Sequence, residues 1–107
     1  MQKVKLFHSL EEALSKVADG AVKRIVVGSK EYCLIRFRHD FFVTSPLCPH
    51  LGQLLFDGKV NPFGEIVCPL HGYRFHLGTG EESEKRCPNL KTSAVSSERS
   101  GIYVWLD

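Results

Sequence analysis

Apolar and polar positions alternate along VKLFH, residues 4–8, which predicts an opening strand. The period then changes. Leu10, Ala13, Leu14 and Val17 recur at helical spacing behind Ser9, and Glu12 follows that serine by three residues, as in a capping box. Asp19-Gly20 closes this one short helix. AVKRIVV (21–27) and EYCLIRF (31–37), joined by Gly28-Ser29, are rich in β-branched and aromatic residues and predict a hairpin. Arg38-His39-Asp40 turns the chain into another strand, FFVTS (41–45). Beyond it the strands shorten: 54–56, 65–67 and 74–76 are predicted between Gly, Asn and Pro turns. KTSAVSSE, a turn at Ser100-Gly101 and IYVWLD predict a closing hairpin, with Tyr103 and Trp105 in the core of the last strand. The expected fold is mostly β, an antiparallel sandwich or barrel with one short N-terminal helix.

Composition narrows the class. A chain of 107 residues forms one domain, 1–107, with a single core. Its 14 basic and 12 acidic residues leave a net charge of +2, which argues against a strong, sequence-blind nucleic-acid binder. No apolar run approaches the roughly 20 residues that span a bilayer, and the N-terminus lacks the apolar core of a signal peptide. A cytoplasmic protein with neither nucleic acid nor membrane as partner is expected. Its four cysteines then read as metal ligands or free thiols rather than disulfides. Cys33, inside EYCLIRF, reads as a buried free thiol. His8 and His39 belong to no motif and read as surface or strand-end residues.

The chemistry concentrates in two short loops. One reads Cys48-Pro49-His50 and the other Cys68-Pro69-Leu70-His71, with 17 residues between His50 and Cys68. Zinc takes two Cys and two His in a common tetrahedral set, but zinc fingers pair like ligands within each knuckle. Here each loop is mixed, and C-x-H is a tight bite for one ion. A two-iron cluster with two thiolates on one iron and two imidazoles on the other makes sense of the mixing. Each loop then reaches both irons.

C-x-H-x17-C-x2-H, with Leu51-Gly52 after the first histidine and Gly72 after the second, resembles the Rieske iron–sulfur family along nearly the whole chain. The resemblance implies the Rieske fold, antiparallel sheets carrying a cluster-binding insertion at about residues 45–80. It implies one [2Fe–2S] cluster held by Cys48 and Cys68 on one iron and by His50 and His71 on the other. Leu51, Gly52, Gly72 and Pro88 would line it. The glycines would adopt positive φ so that backbone N–H groups face the sulfurs, and Pro49 and Pro69 would stiffen the loops. Cys87, beside Pro88 in a third loop, reads as a partly shielded thiol.

Within the family, the respiratory and photosynthetic branch adds a loop-to-loop disulfide and two hydroxyl donors. The matching positions here hold Gln53 and Leu70, and Tyr73 and Phe75. The likeness is to the soluble ferredoxins, and fewer hydrogen bonds imply a low reduction potential. The implied activity is one-electron transport rather than catalysis, by a monomer, from a flavin-dependent NAD(P)H reductase to an oxygenase or similar acceptor. A non-catalytic subunit of a larger oxidoreductase, like the nitrite reductase small subunit, is the alternative; a redox or iron sensor is a third. Lys59, Arg74 and His76, near the loops, are candidates for a partner surface or plain solvated positions.

Overall fold

A computed structural model describes residues 1–107. Ten strands and one helix follow the order β1 (Gln2–Phe7), α1 (Leu10–Lys16), β2 (Val22–Val27), β3 (Lys30–Phe37), β4 (Asp40–Thr44), β5 (Lys59–Val60), β6 (Glu65–Val67), β7 (Arg74–His76), β8 (Thr92–Ser93), β9 (Val95–Glu98) and β10 (Gly101–Leu106). They form three antiparallel sheets, ordered β1-β10-β9, β2-β3-β4-β8 and β5-β6-β7.

The four-stranded sheet is the middle layer, and the period of two in β3 explains how. Leu34 and its cross-strand partner Val43 face one core, shared with Ala13, Val17, Phe41, Ile102, Val104 and Leu106. Cys33 and Ile35 face the opposite core, shared with Cys48, Leu55, Ile66, Cys68, Phe75, Leu77 and Leu90. One strand thus joins a core under the terminal sheet to a core under the two loops. Burial raises the Cys33 thiol to about 11, as expected of an inert buried cysteine.

The helix begins as its capping residues dictate, since the Ser9 side chain accepts the Glu12 N–H at 3.0 Å. The return bond differs from a standard box: Glu12 Oε1 accepts from His8 N, one residue before the cap. Arg36, on β3, donates through Nη1 to the carbonyls of Leu14 and Val17 and so satisfies the end of α1. His8 and His39 are exposed.

Four local expectations change. Residues 54–56 are not a strand, because Leu55 buries alone while Leu54 makes an isolated bridge to Leu47. A two-residue strand, β5, lies instead at Lys59–Val60. The segment 92–98 breaks at Ala94, where the chain passes from the middle sheet (β8 on β4) to the terminal one (β9 on β10). Tyr103 and Trp105 are half-buried on the outer face of β10. The inward parity belongs to Ile102, Val104 and Leu106, and Lys3 Nζ lies 4.4 Å from the Tyr103 ring centre and 5.3 Å from that of Trp105. No helix is long and apolar enough to cross a membrane.

Candidate metal centre

The chain leaves the middle sheet after β4 and rejoins it at β8, the two ends clasped by Ser45 N–H on Lys91 O at 2.8 Å. Both loops lie between those points. Both loops have the same backbone frame. In the first, Cys48 N–H donates to Gln53 O (2.8 Å) and Gly52 N–H to Cys48 O (2.8 Å). In the second, Cys68 N–H donates to Tyr73 O (2.8 Å) and Gly72 N–H to Cys68 O (3.0 Å). Gly52 and Gly72 have φ of +71° and +73°, and no protein atom lies within 4 Å of an added Cβ at either. The left-handed backbone, rather than protein crowding, is what selects glycine. Their N–H groups close the loops on cysteine carbonyls; the N–H groups pointing at the Cys48 sulfur are those of His50 and Leu51.

Thiols and imidazoles are sorted by depth. Cys48 and Cys68 are 1% and 2% exposed, both free, and pack into the core beneath the loops. The Cys68 side chain is close enough to act on the Cys48 thiol. Burial, together with the Cys68 sulfur, raises the Cys48 thiol above its ordinary value against the pull of the His50 and Leu51 N–H groups. His50 and His71 stand nearer solvent, their ring centroids 5.4 Å apart. The four side chains form two pairs, and no three His, Cys, Asp or Glu groups gather tightly enough to wrap one ion. A buried thiol pair under an imidazole pair fits a group with two metal positions.

The loops differ in which slot the histidine fills. His50 is third in its frame and His71 fourth; Leu70 and Leu51 take the vacated slots and are 47% and 62% exposed. Leu47 and Leu54, which bridge each other, are both 49% exposed as well.

A third loop, 79–90, adds residues that sequence reasoning passed over. Gly80 has φ +78° and a Cβ there would meet Leu90 O at 1.9 Å, so only glycine lets this loop close. Glu82, 1% exposed, accepts from Arg86 Nε (3.0 Å), Nη2 (2.8 Å) and backbone N (2.7 Å), from Ser83 Oγ and from Glu84 N. The Arg86 guanidinium, first, and these N–H groups hold its carboxyl well below the usual carboxylate range. Arg86 Cζ lies 3.7 Å from the centre of the Tyr73 ring, and Tyr73 stacks on His50 with centroids 3.9 Å apart and planes at 11°. In the sequence EESEKR reads as a solvated charge run. The only local signal is the i, i+4 spacing of Glu82 and Arg86.

The remaining expected residues fall as follows. Phe75 is fully buried between the cysteines' core neighbours. Cys87 is half-buried against that core, its thiol raised by burial, and Pro88 is exposed. His76 is exposed and its Nδ1 accepts from the Gly78 and Thr79 N–H groups, so it shapes a turn. Arg74 and Lys59 are exposed, Arg74 within 4.0 Å of Glu65.

The Rieske [2Fe-2S] domain family matches residues 10–94. This chain belongs to the Rieske family. It is 32% identical over 93 residues to the ferredoxin component of the naphthalene 1,2-dioxygenase system of Pseudomonas putida, covering 86% of this chain and 88% of that protein. In a solved complex of reduced oxygenase and oxidised ferredoxin in carbazole 1,9a-dioxygenase, one chain matches with a TM-score of 0.75 and 25% identity over 95% of this chain and 91% of that one. A protein described as a nitrite reductase NADPH small subunit shares the fold alone, at a TM-score of 0.75 and 16% identity over 99% of this chain and all of that one. In sequence and fold the chain stands with the Rieske ferredoxins, the electron-carrying rather than catalytic members of the family.

Proposed function

We propose that Cys48, Cys68, His50 and His71 hold one [2Fe–2S] cluster, the cysteines on the inner iron and the histidines on the outer. The chain then serves as a cytoplasmic, monomeric carrier from a flavin-dependent NAD(P)H reductase to an oxygenase or similar acceptor. The observation that carries this reading is the sorting of the four side chains, thiols 1% and 2% exposed below and imidazoles paired above. When bound, the cluster accepts and releases a single electron. The protein supplies the rest. Burial makes the Cys48 thiol a poor anion on its own, and it becomes a good ligand once a metal replaces its proton. The N–H groups of His50 and Leu51 at the Cys48 sulfur stabilise the thiolate form. Leu51, Gly52 and Gly72 line the same site, and Pro88 belongs to the third loop over it. Exposed Leu51 and Leu70, each next to a histidine in its loop, offer a partner apolar surface from which water is displaced on docking.

A low potential belongs to this reading. Gln53 and Leu70 stand where a loop-to-loop disulfide would need cysteines, Phe75 has no hydroxyl, and the Tyr73 ring is committed to His50. Without those donors the more negative reduced state is less stabilised. Redox titration followed by visible absorption tests it: a midpoint on the order of −150 mV is expected, and one above about +100 mV overturns the low-potential assignment. Reduction by a flavoprotein reductase with no stable large-subunit complex on gel filtration supports the carrier. A stoichiometric complex with a large reductase subunit would replace it by the subunit reading.

A further inference from the structure

Tyr73 has a partner on each face. His50 lies 3.9 Å from its ring centre and nearly parallel, and Arg86 Cζ lies 3.7 Å from the same centre. Two groups that close to one ring centre cannot share a face. The phenol ring is therefore sandwiched, and the guanidinium carbon is less than about 8 Å from the imidazole centroid. Glu82 fixes the far end by gripping the Nε and Nη2 edge of Arg86 with both carboxylate oxygens. Glu82 is buried but the Arg86 side chain is exposed, and an ion pair open to solvent on one side is a weak stabiliser. What this one supplies is a cation at a fixed place beside a candidate ligand.

We propose that Arg86, gripped by Glu82 and stacked through Tyr73 on His50, is a positioning residue that raises the reduction potential of the cluster. The inference rests on the reading of His50 as a ligand. A group that gains one electron becomes one unit more negative, so a nearby positive charge favours its reduced form. A guanidinium cannot shed that charge, and its planar fork holds the stack where a flexible ammonium would not. Glu82 and Glu84, whose Oε2 is 3.3 Å from Arg86 Nη1, moderate the field of the guanidinium.

The test is a redox titration of the cluster-loaded protein, with visible and EPR spectra as checks that the cluster is intact. Arg86→Gln is expected to shift the reduced-to-oxidised ratio at a fixed potential about three- to tenfold toward oxidised, roughly 30 to 60 mV at 59 mV per decade for one electron. Glu82→Gln removes a negative charge and is expected to shift the ratio the other way. The double variant then returns near the wild type. Arg86→Lys keeps the charge and is expected to stay within about twofold. Should Arg86→Gln fail to fold, Glu84→Gln at the exposed partner carries the test with a smaller shift toward reduced. The inference is overturned if Arg86→Gln, with its spectra intact, stays within about twofold of wild type. It is equally overturned if both single variants shift the same way, the pattern of a merely structural latch. A wild-type protein with no Rieske spectrum would instead remove the ligand reading itself.

Discussion

The two Cys–His loops share a backbone and differ in what surrounds their histidines. Residues 48–53 and 68–73 close with the same pair of hydrogen bonds around a C-P-x-x-G frame, and each buries its cysteine. Yet His50 is half-buried and clamped by Tyr73, whereas His71 is exposed with only His50 as an aromatic neighbour. The repeated frame buries the two cysteines alike, while Tyr73, backed by Arg86 of the third loop, makes the two histidines unequal. One imidazole is fixed and charge-backed; the other is left to face solvent or a partner.

The largest effect tests the equal half of this comparison. Cys48→Ser and Cys68→Ser should each lower bound iron per chain at least tenfold, on the order of what loss of a thiolate ligand does. Iron that persists in one variant alone would show that the loops are not equivalent. Next, Gly52→Ala and Gly72→Ala should each destabilise by about 1–2 kcal/mol, because both positions are left-handed and neither is crowded by protein. Urea unfolding checks this, and a neutral result at either position would break the shared frame.

The unequal half turns on the third loop and on pH. Glu82 has its carboxyl depressed in the folded state, so its contribution is present above the unfolded carboxylate value of about 4.3 and is lost as pH falls below that toward the folded value. Thermal stability of the wild type should therefore fall more steeply between about pH 5 and pH 2.5 than that of Glu82→Gln. Parallel slopes would mean that the latch does not hold. The smallest effect is spectroscopic. Tyr73→Leu should broaden the hyperfine coupling of one histidine and leave the other sharp, as measured by pulsed EPR of the reduced protein. Equal broadening of both would contradict the unequal clamping.

How much of this was legible in the sequence depended on the range of the interaction. Strands β1 to β4 and the helix were readable because alternation, capping and turn residues are local. The family was readable because Cys and His at the spacing of residues 48–71 have few other uses. Leu54 to Phe56 misled because an apolar triplet that sends one side chain inward looks like a strand. Ala94 marks a crossing between sheets that no composition announces. Tyr103 and Trp105 are large enough to read as core, but parity along β10 gives the interior to their neighbours. The His50–Tyr73–Arg86 stack joins three segments far apart in the chain, and no period or motif encodes such a contact.

The central claim is that two histidines, one from each loop, bind the outer iron. Pulsed EPR of the dithionite-reduced protein, compared with protein labelled with ¹⁵N-histidine, tests it most directly. Two strongly coupled histidine nitrogens are expected, one assigned to His50 and one to His71 by substitution. A reduced cluster with no coupled histidine nitrogen, or an EPR-silent protein that carries zinc, would contradict it.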